Sequence, residues 1–151
     1  MIGEYMTNNY TNTIVIQKPP QEVYAAINKV ADWWIGEIQG QALKVGDEFT
    51  YQYKNFHKSR QKVTELIPGR KIVWHVEEAT LSFIENKDEW KGTDIVFEIT
   101  AQNGQTEIKF THFGLTPKAE CFEACSGGWN FYIKQSLVNY LMKGKGIDPG
   151  F

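Results

Sequence analysis

The chain has 151 residues, of which 42% are hydrophobic and 23% charged, proportions typical of one compact soluble domain with its own core. Sixteen Lys and Arg against 18 Asp and Glu leave a formal net charge of −2, which argues against nucleic-acid binding because such surfaces carry a clustered basic excess. No apolar run approaches the roughly 20 residues that span a bilayer, and no signal peptide is visible, so we expect a cytoplasmic protein without membrane insertion.

The first elements in chain order are a strand and a helix. Residues 1–10 are polar and lack periodicity, and we expect a flexible N-terminal segment there. The β-rich stretch "TNTIVI" predicts a strand over 11–16. A helix is predicted over about 20–30, because Pro20 suits a first helical turn and apolar residues recur at helical spacing: Val23, Ala26, Ile27 and Val30.

From residue 40 onward the apolar period changes from 3.6 to 2, which brings the predicted antiparallel strands to about six. Asn103-Gly104 is a strong hairpin signal between the last two of them. The segment 80–92 is ambiguous and could hold a short edge strand at 81–84 before a charged loop. The strands are predicted in "VGDEFTYQYKN", "SRQKVTELI", "KIVWHVEEA", "DIVFEITA" and "QTEIKFTHF".

The last element is a long helix that is predicted to start near residues 116–117. Gly127 and Gly128 are poor helix formers and predict an interruption or a bend. The helix is expected to end at Gly144. Its apolar stripe consists of Trp129, Ile133, Leu137, Tyr140 and Leu141.

The order of these elements, a run of strands with helices at either end, predicts an α+β fold. We expect a single domain over 11–145 and a tail over 146–151. An antiparallel sheet with one apolar face can curl around the last helix, and incomplete packing between them would leave a cavity. Aromatic residues make up 14% of the chain, and aromatic side chains line ligand cavities as well as cores.

Two cysteines and a histidine near the C-terminus raise the question of a metal or thiol site. Cys121 and Cys125 are four residues apart and would share a helix face, whereas structural zinc sites usually draw on a second pair of ligands elsewhere. The three histidines, His57, His75 and His112, are unpaired along the chain. We therefore predict no metal and no cofactor, and interpret both cysteines as buried free thiols, with a thiol nucleophile as the alternative.

Several stretches, in this order, resemble the SRPBCC, or START-like, superfamily, and within it the group named after the activator of the ATPase of the 90-kilodalton heat-shock chaperone. They are "PPQEVYAAINKVADWW", "VGDEFTY", "VTELIPGRKIVWHV", "THFGL" and "GGWNFYIKQSLVNYL", and the likeness covers about residues 11–145. The resemblance implies a helix-grip fold, in which a curved antiparallel sheet wraps around the C-terminal helix and encloses a deep cavity for an apolar ligand. The activators in this group carry an additional N-terminal domain, for which we expect no room here, so the resemblance alone does not predict ATPase activation.

A set of inward-facing residues is predicted to contact such a ligand. His112 faces inward near the end of its strand, where it is either a core histidine satisfied by hydrogen bonds or a polar group that orients a ligand or transfers a proton. The tyrosines in the set bring hydroxyls that need partners when buried. The predicted ligand-binding residues are Trp34, Phe49, Tyr51, Tyr53, Trp74, Phe97, Phe110, His112, Trp129, Tyr132 and Ile133.

These observations favour a non-enzymatic protein that binds a small apolar or aromatic molecule. No catalytic residue is assigned, with His112 the candidate if the protein is an enzyme. The first alternative is an enzyme like a polyketide cyclase or aromatase, in which His112 or a tyrosine shuttles a proton. The second is a chaperone-interacting protein, as the family name suggests, and a homodimer stays open.

Overall fold

The computed structural model describes residues 8–150, which form one seven-stranded antiparallel sheet and two helices. The helix α1 spans Pro20–Asn28 and is followed by a short 3₁₀ turn at Val30–Asp32. The strands are β1 (Tyr10–Ile16), β2 (Glu37–Gly40), β3 (Glu48–Tyr53), β4 (His57–Ile67), β5 (Lys71–Leu81), β6 (Asp94–Gln102) and β7 (Gln105–Phe113).

The C-terminal helix, α2, is continuous over 22 residues and has three segments. It begins as α-helix at Phe122–Phe131, widens to a π-helical stretch at Tyr132–Leu137 and ends as α-helix at Val138–Lys143. Gly144 closes it in the left-handed conformation, with φ of 79°, as the sequence predicts. The curved sheet and this helix confirm the predicted α+β helix-grip fold.

The sheet order is β1-β7-β6-β5-β4-β3-β2, and every neighbouring pair is antiparallel. The predicted alternation holds in the central strands, where Ile72, Trp74 and Val76 of β5 are fully buried. In β7, Ile108, Phe110 and His112 are also fully buried. One face of the sheet therefore forms the core against α1 and α2.

The structure differs from the predicted strands at β2 and at the segment after β5. The edge strand β2 has four residues, too few for an alternation to be recognised. The ambiguous segment forms no strand of its own: β5 ends at Leu81, and residues 82–93 are turns and loop, which we call the β5–β6 loop.

The start of α2 also differs from the prediction, because residues 116–121 form turns and the helix begins at Phe122. Backbone bonds of the tight i→i−3 type occupy these turns, from Ala119 N to Thr116 O and from Phe122 N to Ala119 O. Gly127 and Gly128 lie inside the first α-helical segment and do not interrupt it.

Contacts near both ends of the described chain bear on the expected flexible segment and tail. The Asn9 amide oxygen accepts a hydrogen bond from the Gly114 N–H at 2.8 Å. Near the other end, the Ile147 N–H donates to Ser136 Oγ at 2.9 Å. Residues 1–7 of the expected flexible segment lie outside the described residues. Neither helix is both long enough and apolar enough to cross a bilayer, within the part of the chain that the structure describes.

Candidate ligand pocket

A pocket of about 260 Å³ opens between the β3–β4 end of the sheet, the β5–β6 loop and the first half of α2. Eight of its twelve lining residues are Phe, Tyr or Trp, and none is Asp, Glu, Lys or Arg. The lining residues are Trp34, Tyr51, Tyr53, Phe56, His57, Phe83, Trp90, Ala124, Cys125, Gly128, Trp129 and Tyr132.

The rim of the pocket carries two exposed phenylalanines, Phe56 in the β3–β4 turn and Phe83 in the β5–β6 loop. Their exposed fractions are 45% and 46%, which is high for large apolar side chains. Ser82 joins the two segments, because its backbone N–H donates to Phe56 O at 3.0 Å and its hydroxyl donates to Asn55 O. An apolar rim is therefore held between two connected turns.

The inner wall of the pocket is formed by Trp34, whose exposed fraction is 2%. Its ring stacks on Tyr51 with a centroid distance of 4.1 Å and lies 5.0 Å from the Trp129 ring. It also stacks in parallel with Trp74, which does not line the pocket. Trp34 thus separates the pocket from the sheet core.

Of the eleven predicted ligand-binding residues, five line the pocket: Trp34, Tyr51, Tyr53, Trp129 and Tyr132. The other six fill the core, each with an exposed fraction of 1% or less: Phe49, Trp74, Phe97, Phe110, His112 and Ile133. Strand alternation shows which side chains face inward, but it does not show how far along the strand the packing leaves space.

The predicted candidate His112 lies in the core with both ring nitrogens bonded to protein. The Trp129 indole N–H donates to Nδ1 at 3.0 Å, and Thr93 Oγ1 lies 2.8 Å from Nε2. The Thr93 hydroxyl donates in turn to Trp90 O at 2.6 Å. Nδ1 must therefore be unprotonated, so Nε2–H donates to Thr93 and the ring is neutral. Burial, with a smaller contribution from His57, lowers the pKa of His112 to about 3.

Tyr51 and Tyr132 place their hydroxyls together at one end of the pocket. The two oxygens are 2.7 Å apart, and each lies 3.0 Å from the carbonyl oxygen of Ile35. Burial raises the pKa of both phenols above the usual value of 10. Both hydroxyls are therefore protonated at neutral pH and are engaged with each other and with the backbone.

His57 is the residue of greatest chemical interest that the sequence prediction missed. Its Nε2 lies 2.8 Å from Ser59 Oγ, and its ring makes edge contacts with Trp90 and Tyr51 at centroid distances of 4.6 and 5.1 Å. Burial lowers the pKa of His57 to about 3, so the ring is neutral at pH 7. Its stretch, "KNFHKSRQK", is rich in basic residues, a pattern that favours a solvent-exposed hairpin. The strand alternation could have identified it, because His57 lies on the same face of β4 as the buried residues Ser59 and Val63.

The cysteines lie at the start of α2 as buried free thiols, and Cys125 lines the pocket. A hydrogen bond with Cys125, together with burial, raises the pKa of the Cys121 thiol. A thiol nucleophile needs a lowered pKa, so this arrangement does not favour thiol chemistry. Within residues 8–150, no group of three or more His, Cys, Asp or Glu side chains could hold a metal ion.

Two carboxylates hold the β5–β6 loop against the start of α2. Glu89 accepts hydrogen bonds from the backbone N–H groups of Glu120 and Cys121, the second at 3.0 Å. Glu120 accepts from the N–H groups of Glu85 and Asn86 at 2.9 and 3.0 Å, and these bonds lower the pKa of its carboxyl. We call this reciprocal pair, Glu89 and Glu120, the carboxylate clamp. It positions the loop that carries the pocket residues Phe83 and Trp90.

Comparison with known proteins gives one family and a set of similar structures. The model of the family described as "Activator of Hsp90 ATPase homolog 1-like protein" matches residues 17–142. The Aha1 dimer from Colwellia psychrerythraea, solved in solution, is 27% identical over 91% of this chain and 98% of that chain, with a TM-score of 0.74. No curated protein matches the chain.

Two crystal structures at lower identity share the fold. CV1439 from Chromobacterium violaceum is 19% identical over 87% of this chain and 95% of that chain. CalU16 from Micromonospora echinospora is 12% identical over 89% of this chain and 76% of that chain. The TM-score is 0.64 in both cases.

Proposed function

The chain belongs to the family of activator of Hsp90 ATPase homolog 1-like proteins, and we propose that it binds a small apolar or aromatic molecule in the pocket beside α2. The observation that carries the proposal is the lining, with eight aromatic residues and no charged one. Binding of an apolar ligand to such a surface is favourable, because it removes apolar area of both partners from water.

The size of the pocket indicates the size of the ligand. An apolar cavity of about 150 Å³ can hold a benzene molecule. A pocket of about 260 Å³ therefore has room for a molecule of one or two rings. The exposed rim residues Phe56 and Phe83 would cover the outer part of such a ligand.

The proposal is tested by ligand capture and by a matched pair of glycine variants. The protein is purified without denaturation and analysed by mass spectrometry for a bound small molecule, then titrated with neutral one- and two-ring compounds while tryptophan fluorescence is followed. A Cβ at Gly127 or at Gly128 meets no atom within 4 Å, but only Gly128 lines the pocket. We expect Gly128→Leu to abolish binding and Gly127→Leu to retain it. The absence of any bound compound and of any titration response in the wild type would refute the proposal.

We propose that the protein does not catalyse a reaction on this ligand. The nitrogens of His112 are both bonded to protein, and the hydroxyls of Tyr51 and Tyr132 are tied to Ile35 O. The remaining pocket base, His57, has a pKa of about 3 and is a weak proton acceptor at neutral pH. The bound compound is expected to be recovered chemically unchanged after prolonged incubation, whereas a new mass in the bound fraction would favour an enzyme.

The family description supports a second candidate, interaction with a chaperone of the Hsp90 type. The Colwellia Aha1 structure, which extends over nearly the same length, supports a homodimer as well. The chaperone role predicts that adding the chain changes the ATPase rate of a purified Hsp90-type chaperone, and an unchanged rate would exclude activation of that chaperone. Light scattering coupled to gel filtration gives the mass of the chain in solution and decides between monomer and dimer.

A further inference from the structure

The walls of the pocket are electrically neutral. None of the lining side chains is Asp, Glu, Lys or Arg, and His57 is uncharged at neutral pH. A charged ligand would leave water without meeting a counter-ion, which costs much more than burying a neutral group. This excludes carboxylates, phosphates and ammonium groups from the buried part of the ligand.

One polar group of the pocket has an open hydrogen-bonding position. Nδ1 of His57 has no hydrogen-bond partner among residues 8–150, and it is absent from the fully buried polar atoms that lack a partner. His57 lines the pocket and its Nδ1 is not fully buried, so this nitrogen is the position of the ring that a ligand could reach. The neighbouring Trp90 also has an indole N–H without an acceptor in the described part of the chain. The Trp90 nitrogen is fully buried, so the open position is Nδ1 of His57.

Ser59 determines which His57 nitrogen carries the proton. The exposed fraction of Ser59 is 2%, and the hydrogen bond recorded for its hydroxyl is the one with His57 Nε2 at 2.8 Å. If Nε2 carried the proton, the buried hydroxyl would have no acceptor among the described residues, which is unfavourable. The hydroxyl therefore donates to Nε2, and the ring proton is on Nδ1, the nitrogen without a protein partner.

We propose that the ligand is uncharged and carries a hydrogen-bond acceptor, such as a ketone oxygen, which the Nδ1–H group of His57 recognises. This inference rests on the proposed function. His57 is then a specificity-determining residue, Ser59 is a positioning residue that selects its tautomer, and the aromatic walls hold the apolar body of the ligand.

The test uses three probes of similar shape: 2-acetylnaphthalene, which has a ketone; 2-ethylnaphthalene, which has no acceptor; and 2-naphthoate, which is charged at pH 7. Each Kd is measured by tryptophan quenching on the wild type and on His57→Phe, which keeps an aromatic ring but loses the N–H. We expect the naphthoate to bind at least tenfold more weakly than the ketone. The affinity of the ketone relative to the hydrocarbon is expected to fall about 5- to 10-fold in His57→Phe.

The outcomes separate this inference from the proposed function. If no probe binds the wild type, the proposed function fails. If all probes bind and the affinity of the ketone relative to the hydrocarbon is the same in His57→Phe as in the wild type, only the inference fails. Nitrogen-15 NMR of the wild-type imidazoles decides the question should His57→Phe not fold. A proton on Nδ1, with a resonance that shifts when the ketone is added, supports the inference, and a proton on Nε2 overturns it. In Ser59→Ala we expect the two tautomers to mix and the affinity of the ketone relative to the hydrocarbon to fall part of the way.

Discussion

At the scale of single residues, His112 shows how a histidine on an inward face can serve the core. Its two nitrogens join β7 to Trp129 of α2 and to Thr93 at the end of the β5–β6 loop. A buried polar side chain stabilises a fold when its hydrogen bonds are satisfied, and removing it leaves its partners unpaired. The same geometry keeps His112 from contacting a ligand in the pocket.

We therefore expect His112→Ala to lower the free energy of unfolding by about 2–4 kcal/mol, because it leaves a cavity and an unpaired Trp129 indole N–H. Thr93→Val removes one bond to the same ring and is expected to cost about 1–2 kcal/mol. Urea denaturation followed by fluorescence measures both. Wild-type stability of His112→Ala would contradict a structural role.

At the scale of elements, the first segment of α2 carries two adjacent glycines with different surroundings. Gly127 faces solvent, whereas Gly128 lines the pocket, and a Cβ at either position meets no atom within 4 Å. At Gly128 the chain therefore has a poor helix former at a position where a side chain would enter the pocket.

Replacement of either glycine by alanine is expected to raise the free energy of unfolding by up to about 1 kcal/mol, since alanine restricts the unfolded chain and favours the helix. Only Gly128→Ala should weaken the binding of 2-ethylnaphthalene, because its methyl group takes up pocket volume. Thermal unfolding and fluorescence titration of the two variants test this. Equal affinities would show that the ligand does not reach Gly128.

The carboxylate clamp is the second feature at this scale, because Glu89 of the β5–β6 loop accepts hydrogen bonds from the backbone N–H groups just before α2. We expect Glu89→Ala to lower the free energy of unfolding by about 1 kcal/mol, because two hydrogen bonds to the backbone are lost, and to speed amide exchange over residues 82–93 and 119–122. Glu85→Ala is the matched control, since Glu85 contributes only its backbone N–H to the clamp. Equal exchange rates in the two variants would mean that the clamp does not hold the loop.

At the scale of the whole molecule, the fold could be predicted because its signals repeat along the chain. The period-2 alternation of β3, β5, β6 and β7 and the stripe of α2 are each supported by several residues, so a single exception does not change the assignment. The pocket depends on fewer signals. Phe83 and Trp90 lie in a loop without periodicity, and His57 begins its strand directly after a turn, so their positions follow from tertiary packing that no local pattern encodes.

Two histidines with lowered pKa values make the stability of the molecule depend on pH below neutrality. Both His57 and His112 have a pKa of about 3 in the folded protein, against an ordinary value of 6.5, mainly because burial disfavours the charged ring, and no carboxylate contributes to either shift. Between pH 6.5 and 3 the unfolded chain therefore binds protons that the native state does not. Stability is fully present above pH 6.5 and falls as the pH is lowered through this window.

Two such groups give a slope of at most about 2.7 kcal/mol per pH unit, since one proton corresponds to about 1.36 kcal/mol per unit. The contribution of His57 is smaller because its ring is partly open to the pocket. Urea denaturation at several pH values from 7 to 4.5 measures the slope. His112→Asn can still accept a hydrogen bond from Trp129. We expect this variant to lose up to the part of the slope that corresponds to one proton, and to be less stable than the wild type at pH 7. An unchanged slope in this variant would mean that the fold does not lower the pKa of His112.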